Sequence, residues 1–344
     1  MTDSSLSKAV GVVAIGRNEG DRLKKCLVSA LEQTDRVVYV DSGSTDDSCD
    51  FARSVGVEVV ELDTTIPFTA ARARNAGQQR LIEAFEDIEF VQFVDGDCEF
   101  APNWINEALG FMESHAGCAV VCGRRRERYP DASIYNRLTD LEWDTPVGEA
   151  KSCGGDALFR RTCLEKVGGY RASLIAGEEP ELCVRLRGEG WSVHRINHEM
   201  TLHDAAITRF SEFWKRAKRA GHAYAEGASI HGRGPDRHGV RGTRSALIWG
   251  LLVPVLSISL AWWTYGVTLL VMMVLYAIQM WRVRAMNVRR GRSSRDATLL
   301  GTFTILTKPA QASGVIRYWG RRVMRKRPAL IEYKGASGKG VADA

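Results

Sequence analysis

No charged residue lies between Arg244 and Arg282. Those 37 positions are rich in Leu, Val, Ile, Met and Trp, and they restrict this chain more than any other segment. One helix of that length would be about 55 Å long, nearly twice the hydrocarbon thickness that about 20 helical residues cross. Two short helices joined by a turn fit better. Trp262-Trp263-Thr264-Tyr265-Gly266 supplies a turn glycine and aromatic residues suited to a membrane interface. Arg237, Arg241 and Arg244 precede the stretch, and Arg282, Arg284, Arg289 and Arg290 follow it. By the positive-inside rule both ends face the cytoplasm. The competing reading, a buried hairpin in a soluble core, is disfavoured by the length and the basic flanks.

Charge divides the chain further. Residues 1–281 carry 32 Lys and Arg against 38 Asp and Glu, whereas 282–334 carry 14 against 2. A slightly acidic body precedes a strongly basic tail, which suits an anionic surface. Between 297 and 327, Leu299, Leu300, Phe303 and Trp319 alternate with Arg317, Arg321 and Arg322, and Pro309 interrupts any continuous helix. This pattern predicts one or two interfacial helices on an anionic leaflet. Nucleic-acid binding is disfavoured, because the apolar residues are interleaved with the arginines beside a hydrophobic hairpin. Gly335 to Ala344 reads as disordered.

The N-terminal apolar run, Val10 to Ile15, is too brief for a signal-peptide core. The eight cysteines fall between Cys26 and Cys183 without a Cys-x-x-Cys pair. They read as reduced, mostly buried thiols of a cytosolic domain, and structural zinc is not expected.

The body alternates strand-like and helix-like runs: strands at Val10–Ile15, Val37–Val40, Val57–Leu62 and Phe90–Val94, and helices at Asp21–Glu32, Asp46–Val55 and Thr69–Phe85. Such alternation predicts a parallel sheet with crossover helices, whose ligands bind beyond the strand C-termini. Polar clusters stand at those ends: Arg17-Asn18-Glu19, Asp41 to Asp46, and Asp95-Gly96-Asp97. Neither a Gly-x-Gly-x-x-Gly nor a Walker-type Gly-Lys-Ser/Thr occurs there, which disfavours a dinucleotide dehydrogenase and a P-loop NTPase. Asp-Gly-Asp at a strand end suits Mg²⁺ or Mn²⁺, which takes one or two carboxylates and fills its other positions from a diphosphate. A solvated Asp-Gly turn is the plainer alternative.

Five segments in order resemble the family 2 glycosyltransferases, over about Val10 to Gly227. They are Val40 to Asp46, Ala73-Arg74-Asn75-Ala76-Gly77, Asp95-Gly96-Asp97, Gly154 to Arg161 ahead of Gly168-Gly169-Tyr170, and Gly177-Glu178-Glu179-Pro180-Glu181-Leu182 followed by Arg185-Leu186 and Gly190-Trp191. The hairpin resembles that of a membrane-anchored bacterial subgroup. Two departures stand out. Gly16-Arg17 precedes Asn18-Glu19 where the family often has proline, and Glu179 replaces the aspartate of the Glu-Asp motif. No Gln-x-x-Arg-Trp appears, so single-sugar transfer is favoured over processive synthesis.

The resemblance implies a GT-A nucleotide-sugar-binding, Rossmann-like α/β catalytic domain at 1–230. A basic linker at 231–244, a transmembrane hairpin at 245–281, basic interfacial helices at 282–334 and a disordered tail at 335–344 complete the expected organisation. It implies a divalent cation, Mn²⁺ or Mg²⁺, on Asp97 and Asp95 with His203 as a further ligand, the plainer alternative for His203 being an ordinary core or surface histidine. Glu179 would be the general base, its carboxyl raised by burial and by Glu178 and Glu181. The alternative for Glu179 is a carboxylate favoured by the helix dipole. Glu181 is read as a surface i, i+4 pair with Arg185.

Nucleotide-sugar contacts would come from Arg17, Asn18, Glu19, Asp41, Ser42, Ser44, Asp46, Arg74, Asp95 and Asp156. Asp41 and Asp46 would meet base and ribose, although helix capping explains that loop equally well. Arg72 and Arg74 are candidates for the donor diphosphate, with a solvated helix face as the alternative. The run Arg124-Arg125-Arg126-Glu127-Arg128 reads as a contact to an acceptor pyrophosphate or, more simply, a solvated edge.

The function so implied is inverting transfer from a nucleoside-diphosphate sugar to a lipid-linked saccharide acceptor, at the cytoplasmic side of the bacterial inner membrane, in envelope or exopolysaccharide synthesis. A polyprenyl-phosphate sugar synthase and a non-catalytic membrane protein that binds nucleotide sugars are the alternatives.

Overall fold

The apolar runs that read as strands build one nine-stranded sheet. The computed structural model describes residues 10–324, so the tail at 335–344 and the last part of the basic segment lie outside the described residues. Two units emerge, one from 10–130 with 142–206 and one from 131–141 with 207–324.

In the α/β unit, β1 (Val10–Gly16), β2 (Val37–Asp41), β3 (Glu58–Glu61) and β4 (Phe90–Asp95) form the parallel part, in the order β3-β2-β1-β4. Almost every residue of β1, β2 and β4 is buried, as expected of strands covered on both faces. Between them run α1 (Asp21–Leu31), α2 (Ser48–Ser54) and α3 (Ala70–Ala84). The inner face of α3 is small, with Ala71, Ala73 and Gly77 buried, so the helix lies close against β1 and β2.

Beyond β4 the sheet turns mixed, a departure from the purely parallel expectation. The chain continues through β5 (Cys98–Phe100), α4 (Trp104–Ser114), β6 (Cys118–Glu127), α5 (Ile134–Trp143, most of it in the second unit), β7 (Gly148–Glu149), β8 (Ala157–Arg160), α6 (Arg161–Lys166), α7 (Glu178–Gly188) and β9 (Ser192–His203). β8 runs antiparallel to both β4 and β6, while β6 and β9 pair in parallel. The alternation of strand and helix is lost here, because β4 leads into β5 across two residues with no intervening helix. Pro180 sits in the first turn of α7, where its missing N–H costs nothing. Leu182 and Leu186 face the core.

The second unit is helical: α8 (Phe210–His231), α9 (Val240–Leu247), a π-helical stretch Ile248–Leu252, α10 (Val253–Leu260), α11 (Val267–Arg289), α12 (Ser294–Leu306) and α13 (Lys308–Val323). The π turn has a cause. Proline at 254 has no N–H and crowds the carbonyl four residues earlier, and one wide turn ahead of it, closed by Val253 N–H on Ile248 O, absorbs the conflict. α9 through α10 therefore reads as one helix of 21 residues, and α11 has 23. Both are long and apolar enough to cross a membrane. Gly266, at φ +85°, makes the turn between them. Thr268 Oγ1 donates to Ser257 O at 2.8 Å and Tyr276 Oη to Trp249 O at 2.6 Å, which ties the two helices together. Pro309 lies in the first turn of α13, so two helices form where the sequence allowed one or two.

Candidate functional site

Parallel register brings the polar clusters together: Gly16 pairs with Asp41 and Ile15 with Asp95, so the ends of β2 and β4 flank the end of β1. The loops after β1 and β2 interlock. Asn18 Oδ1 accepts the Thr45 amide at 2.7 Å, and the Asn18 amide donates to Ser44 Oγ at 2.9 Å. Asp46 accepts the Gly20 amide at 3.2 Å and the Ser48 amide at 3.1 Å at the start of α2. The Asp41 carboxylate is buried and accepts the amides of Gly43 and Ser44, both at 2.8 Å, Tyr39 Oη at 2.9 Å and the Ser44 hydroxyl. Ser42 Oγ is buried without a hydrogen-bond partner. Arg17 is exposed, and Glu19 pairs with Arg22 at 2.7 Å.

The end of β4 differs in kind. Asp95 Oδ1 meets Arg74 Nη2 at 2.8 Å, and Oδ2 meets Arg125 Nη2 at 3.1 Å. Burial alone would raise this carboxyl, but the two guanidiniums outweigh it and hold Asp95 well below the usual carboxylate range. Arg74 is 2% exposed and also reaches Glu179 at 2.9 Å and Glu178 at 3.1 Å through Nη1. One buried arginine thus joins the strand-end carboxylate to both glutamates at the start of α7. Burial, then the neighbouring Glu178, push the Glu179 carboxyl up to about 7 against the pull of Arg74. Arg72, the other arginine of this helix turn, instead donates to the backbone of Ile66 and Asp63.

Asp97 and His203 close the site. His203 Nε2 lies 3.3 Å from Asp97 Oδ1, both side chains are buried, and one ligand atom each from Asp97, Cys98 and His203 falls within 4.8 Å of the others. Burial first, then Arg125, lowers the His203 pKa and keeps the imidazole neutral, the form that ligates a metal. Its other nitrogen faces Glu127 Oε2 at 3.8 Å, and Trp143 packs against the ring with centroids 4.6 Å apart. The carboxylate suits Mn²⁺ or Mg²⁺, whereas the imidazole and the Cys98 sulfur suit softer ions. Around the site two cations, Arg74 and Arg125, stand against Asp95, Asp97, Asp156, Glu178 and Glu179.

Three placements differ from expectation. Asp156 is fully buried: its carboxylate accepts the Asp95 amide at 3.1 Å and Thr201 Oγ1 at 2.7 Å, with Arg125 Nε at 3.3 Å, so it buttresses Asp95 from beneath. Arg125 points inward over Trp143, while Arg124 and Arg126 stay partly exposed, the alternation of a strand. Glu181 is not a surface residue. It is 1% exposed and held by Arg185 at 2.8 Å and Arg171 at 3.2 Å. Trp143 and Thr201 had no motif to mark them, and Glu127 was marked only as part of the arginine run.

Gly155 shows how tightly the cluster is built. A Cβ there would come within 2.8 Å of both Arg74 Nη2 and Asp95 Oδ2.

The family model described as Glycosyl transferase family 2 matches residues 12–167. A TPR repeat-containing protein of Synechococcus elongatus is 26% identical over 214 residues, covering 52% of this chain and 51% of that protein. The chain therefore spans about half the length of the curated relative it matches. Among solved structures, a mannosyltransferase from Pyrobaculum calidifontis in complex with GDP-Man and Mn²⁺ aligns at a TM-score of 0.54 and 18% identity, over 92% of this chain and 88% of that one. GalNAc-T7 with UDP, GalNAc and Mn²⁺ aligns at 0.51 and 13%, over 72% and 51%. At these identities the likeness shows the fold, which is GT-A.

Proposed function

We propose, from the match of residues 12–167 to the family 2 glycosyltransferase model, that the chain is an inverting glycosyltransferase that moves a sugar from a nucleoside-diphosphate donor to a lipid-linked saccharide. The observation that carries this reading is the Arg74 bridge, which puts a proton acceptor, Glu179, beside the Asp95–Asp97 step. A carboxyl poised near neutrality, at about 7, suits a general base at physiological pH.

Glu179 takes the proton of the acceptor hydroxyl as it attacks the anomeric carbon. In-line attack from the side opposite the diphosphate inverts the configuration. Asp97 and His203, with Asp95 alongside, would hold the divalent cation, which when bound supplies Lewis-acid stabilisation to the leaving diphosphate. Arg74 and Arg125 keep Asp95 ionised, and Asp156 fixes its backbone. The interlocked loops of Asn18 and Asp41 to Asp46 shape the nucleotide side, where the Ser42 hydroxyl has capacity left for a ligand.

The two long apolar helices would cross the bilayer. At 1.5 Å per residue, 21 residues span about 31 Å, the hydrocarbon thickness. Almost nothing in either span is buried inside the protein, unlike a soluble core helix, and Trp262, Trp263 and Tyr265 stand exposed at the tip. Basic residues at both outer ends favour a cytoplasmic location for both, at a bacterial inner membrane. The amphipathic α13 and the arginines around it suit an anionic leaflet.

The test is a donor screen with the detergent-solubilised chain, measuring nucleoside diphosphate release with and without Mn²⁺ and a lipid-linked acceptor. Release that needs both is expected. No release with any donor would sink the reading.

A further inference from the structure

All eight cysteines are free thiols, and two of them touch. Cys153 Sγ and Cys183 Sγ are 3.6 Å apart although 30 positions separate them in the chain. Cys183 is fully buried and Cys153 is 6% exposed. The elements they join are those that build the site. Cys153 begins the segment Gly154-Gly155-Asp156, which passes beneath Asp95 and Arg74. Cys183 lies on α7, one turn beyond Glu179. From the contact of these two sulfurs we infer that Cys153 and Cys183 form an oxidation site, a dithiol that closes to a disulfide and alters the neighbouring active site.

A disulfide holds its sulfurs about 2.05 Å apart, so closure draws this pair together by about 1.5 Å and imposes a fixed dihedral angle. The adjustment falls on the 153–156 segment or on α7. Both are packed against the cluster, so neither can move without shifting Asp95 relative to Glu179.

The chemistry balances with a hydroperoxide as oxidant. The sulfur of Cys153, whose residue is the slightly less buried of the two, attacks the O–O bond of hydrogen peroxide. An S–O bond forms, the O–O bond breaks, and the departing hydroxide leaves as water with the Cys153 proton. The Cys183 sulfur then attacks Cys153, forming S–S and breaking S–O, and the second hydroxide leaves as water with the Cys183 proton. Two thiols lose two electrons and two protons, and one peroxide becomes two waters. The hydrogen bond between the pair lowers the Cys183 thiol toward the thiolate that this second step needs, and the same bond, with burial, raises the Cys153 thiol. In a reducing compartment such a pair rests as thiols and closes only under oxidant, which is how cytosolic disulfides usually act.

The effect on turnover rests on the glycosyltransferase reading, whereas the crosslink does not. The full chain in detergent micelles is treated with hydrogen peroxide, then with dithiothreitol. Intact mass and peptide mapping should show loss of two hydrogens at a Cys153–Cys183 crosslink, with a turnover loss of up to about 100-fold, as for a displacement near 1 Å, restored on reduction. Cys153→Ala and Cys183→Ala should keep reduced turnover and ignore peroxide, and Cys183→Ser repeats the test if alanine loosens the core. Peroxide that leaves this pair as thiols, or joins other cysteines instead, overturns the site. A quantitative crosslink with unchanged turnover overturns its link to the active site. If no donor is turned over at all, the function reading fails while the mapping result still stands or falls alone.

Discussion

The ends of β2 and β4 flank the same strand, and their carboxylates, a buried Asp41 and a part-buried Asp95, are satisfied in opposite ways. Asp41 is surrounded by neutral donors drawn mostly from its own next few residues. Asp95 is held by two guanidiniums from α3 and β6, and its neighbours on α7 compete for one of them. The first arrangement shapes a loop and is complete without a ligand. The second sets several carboxylates around two shared guanidiniums. Under the proposed function, the reacting groups lie at the β4 end and the β2 end gives the site its shape.

The contrast breaks most sharply at Asp97. Asp97→Asn should abolish cation-dependent release of nucleoside diphosphate, a loss of about a thousandfold or more for several kcal/mol of lost stabilisation. Circular dichroism should stay unchanged, and Mn²⁺ binding followed by electron paramagnetic resonance should be lost. Wild-type turnover in that variant would put the cation elsewhere.

Glu179→Gln comes next, with about a 10²–10⁴-fold fall in turnover. A base must be ionised to work, so wild-type activity should fall as pH drops through about 7 and level off above it. Glu179→Asp, the residue that stands in the Glu-Asp motif this segment resembles, should keep part of the activity. Near-normal turnover by the glutamine variant would point instead to a phosphate acceptor, which needs little base catalysis.

Arg74→Gln separates linkage from ligand contact. Arg74 opposes the burial that raises Glu179, so its loss should move the acid limb of the pH–rate profile to higher pH. Stability should fall by about 3–5 kcal/mol, because three carboxylates lose a buried partner. A rise in donor KM with an unmoved acid limb would mean that Arg74 serves the diphosphate alone.

The smallest effect is expected at the β2 end. Asp41→Asn should cost about 1–3 kcal/mol in unfolding experiments by leaving buried donors unpaired. Turnover should change mainly through donor KM, with the acid limb unmoved.

Much of the fold was legible. The strands at Val10, Val37 and Phe90 and the helices between them stand within one or two residues of where apolar runs and turn residues put them. Pro309 and Gly266 mark their breaks for reasons that act within a few residues. The antiparallel strands were not legible, because β8 is four residues long and gains its identity from β4 and β6 on either side. Glu181 misled for a similar reason: its helix spacing suggested a surface pair, and Arg171, ten residues away, helps enclose it.

By itself, then, the sequence determined where strands end, where charge collects and which stretch is apolar enough to span a bilayer, since each depends on neighbours a few positions apart. Only the tertiary structure decided which carboxylates are neutralised and which are left poised. Arg74 meets Glu178 across 104 positions and Arg125 meets Asp95 across 30. The ionisation of a buried group is set by the charges folded against it, whatever their distance along the chain.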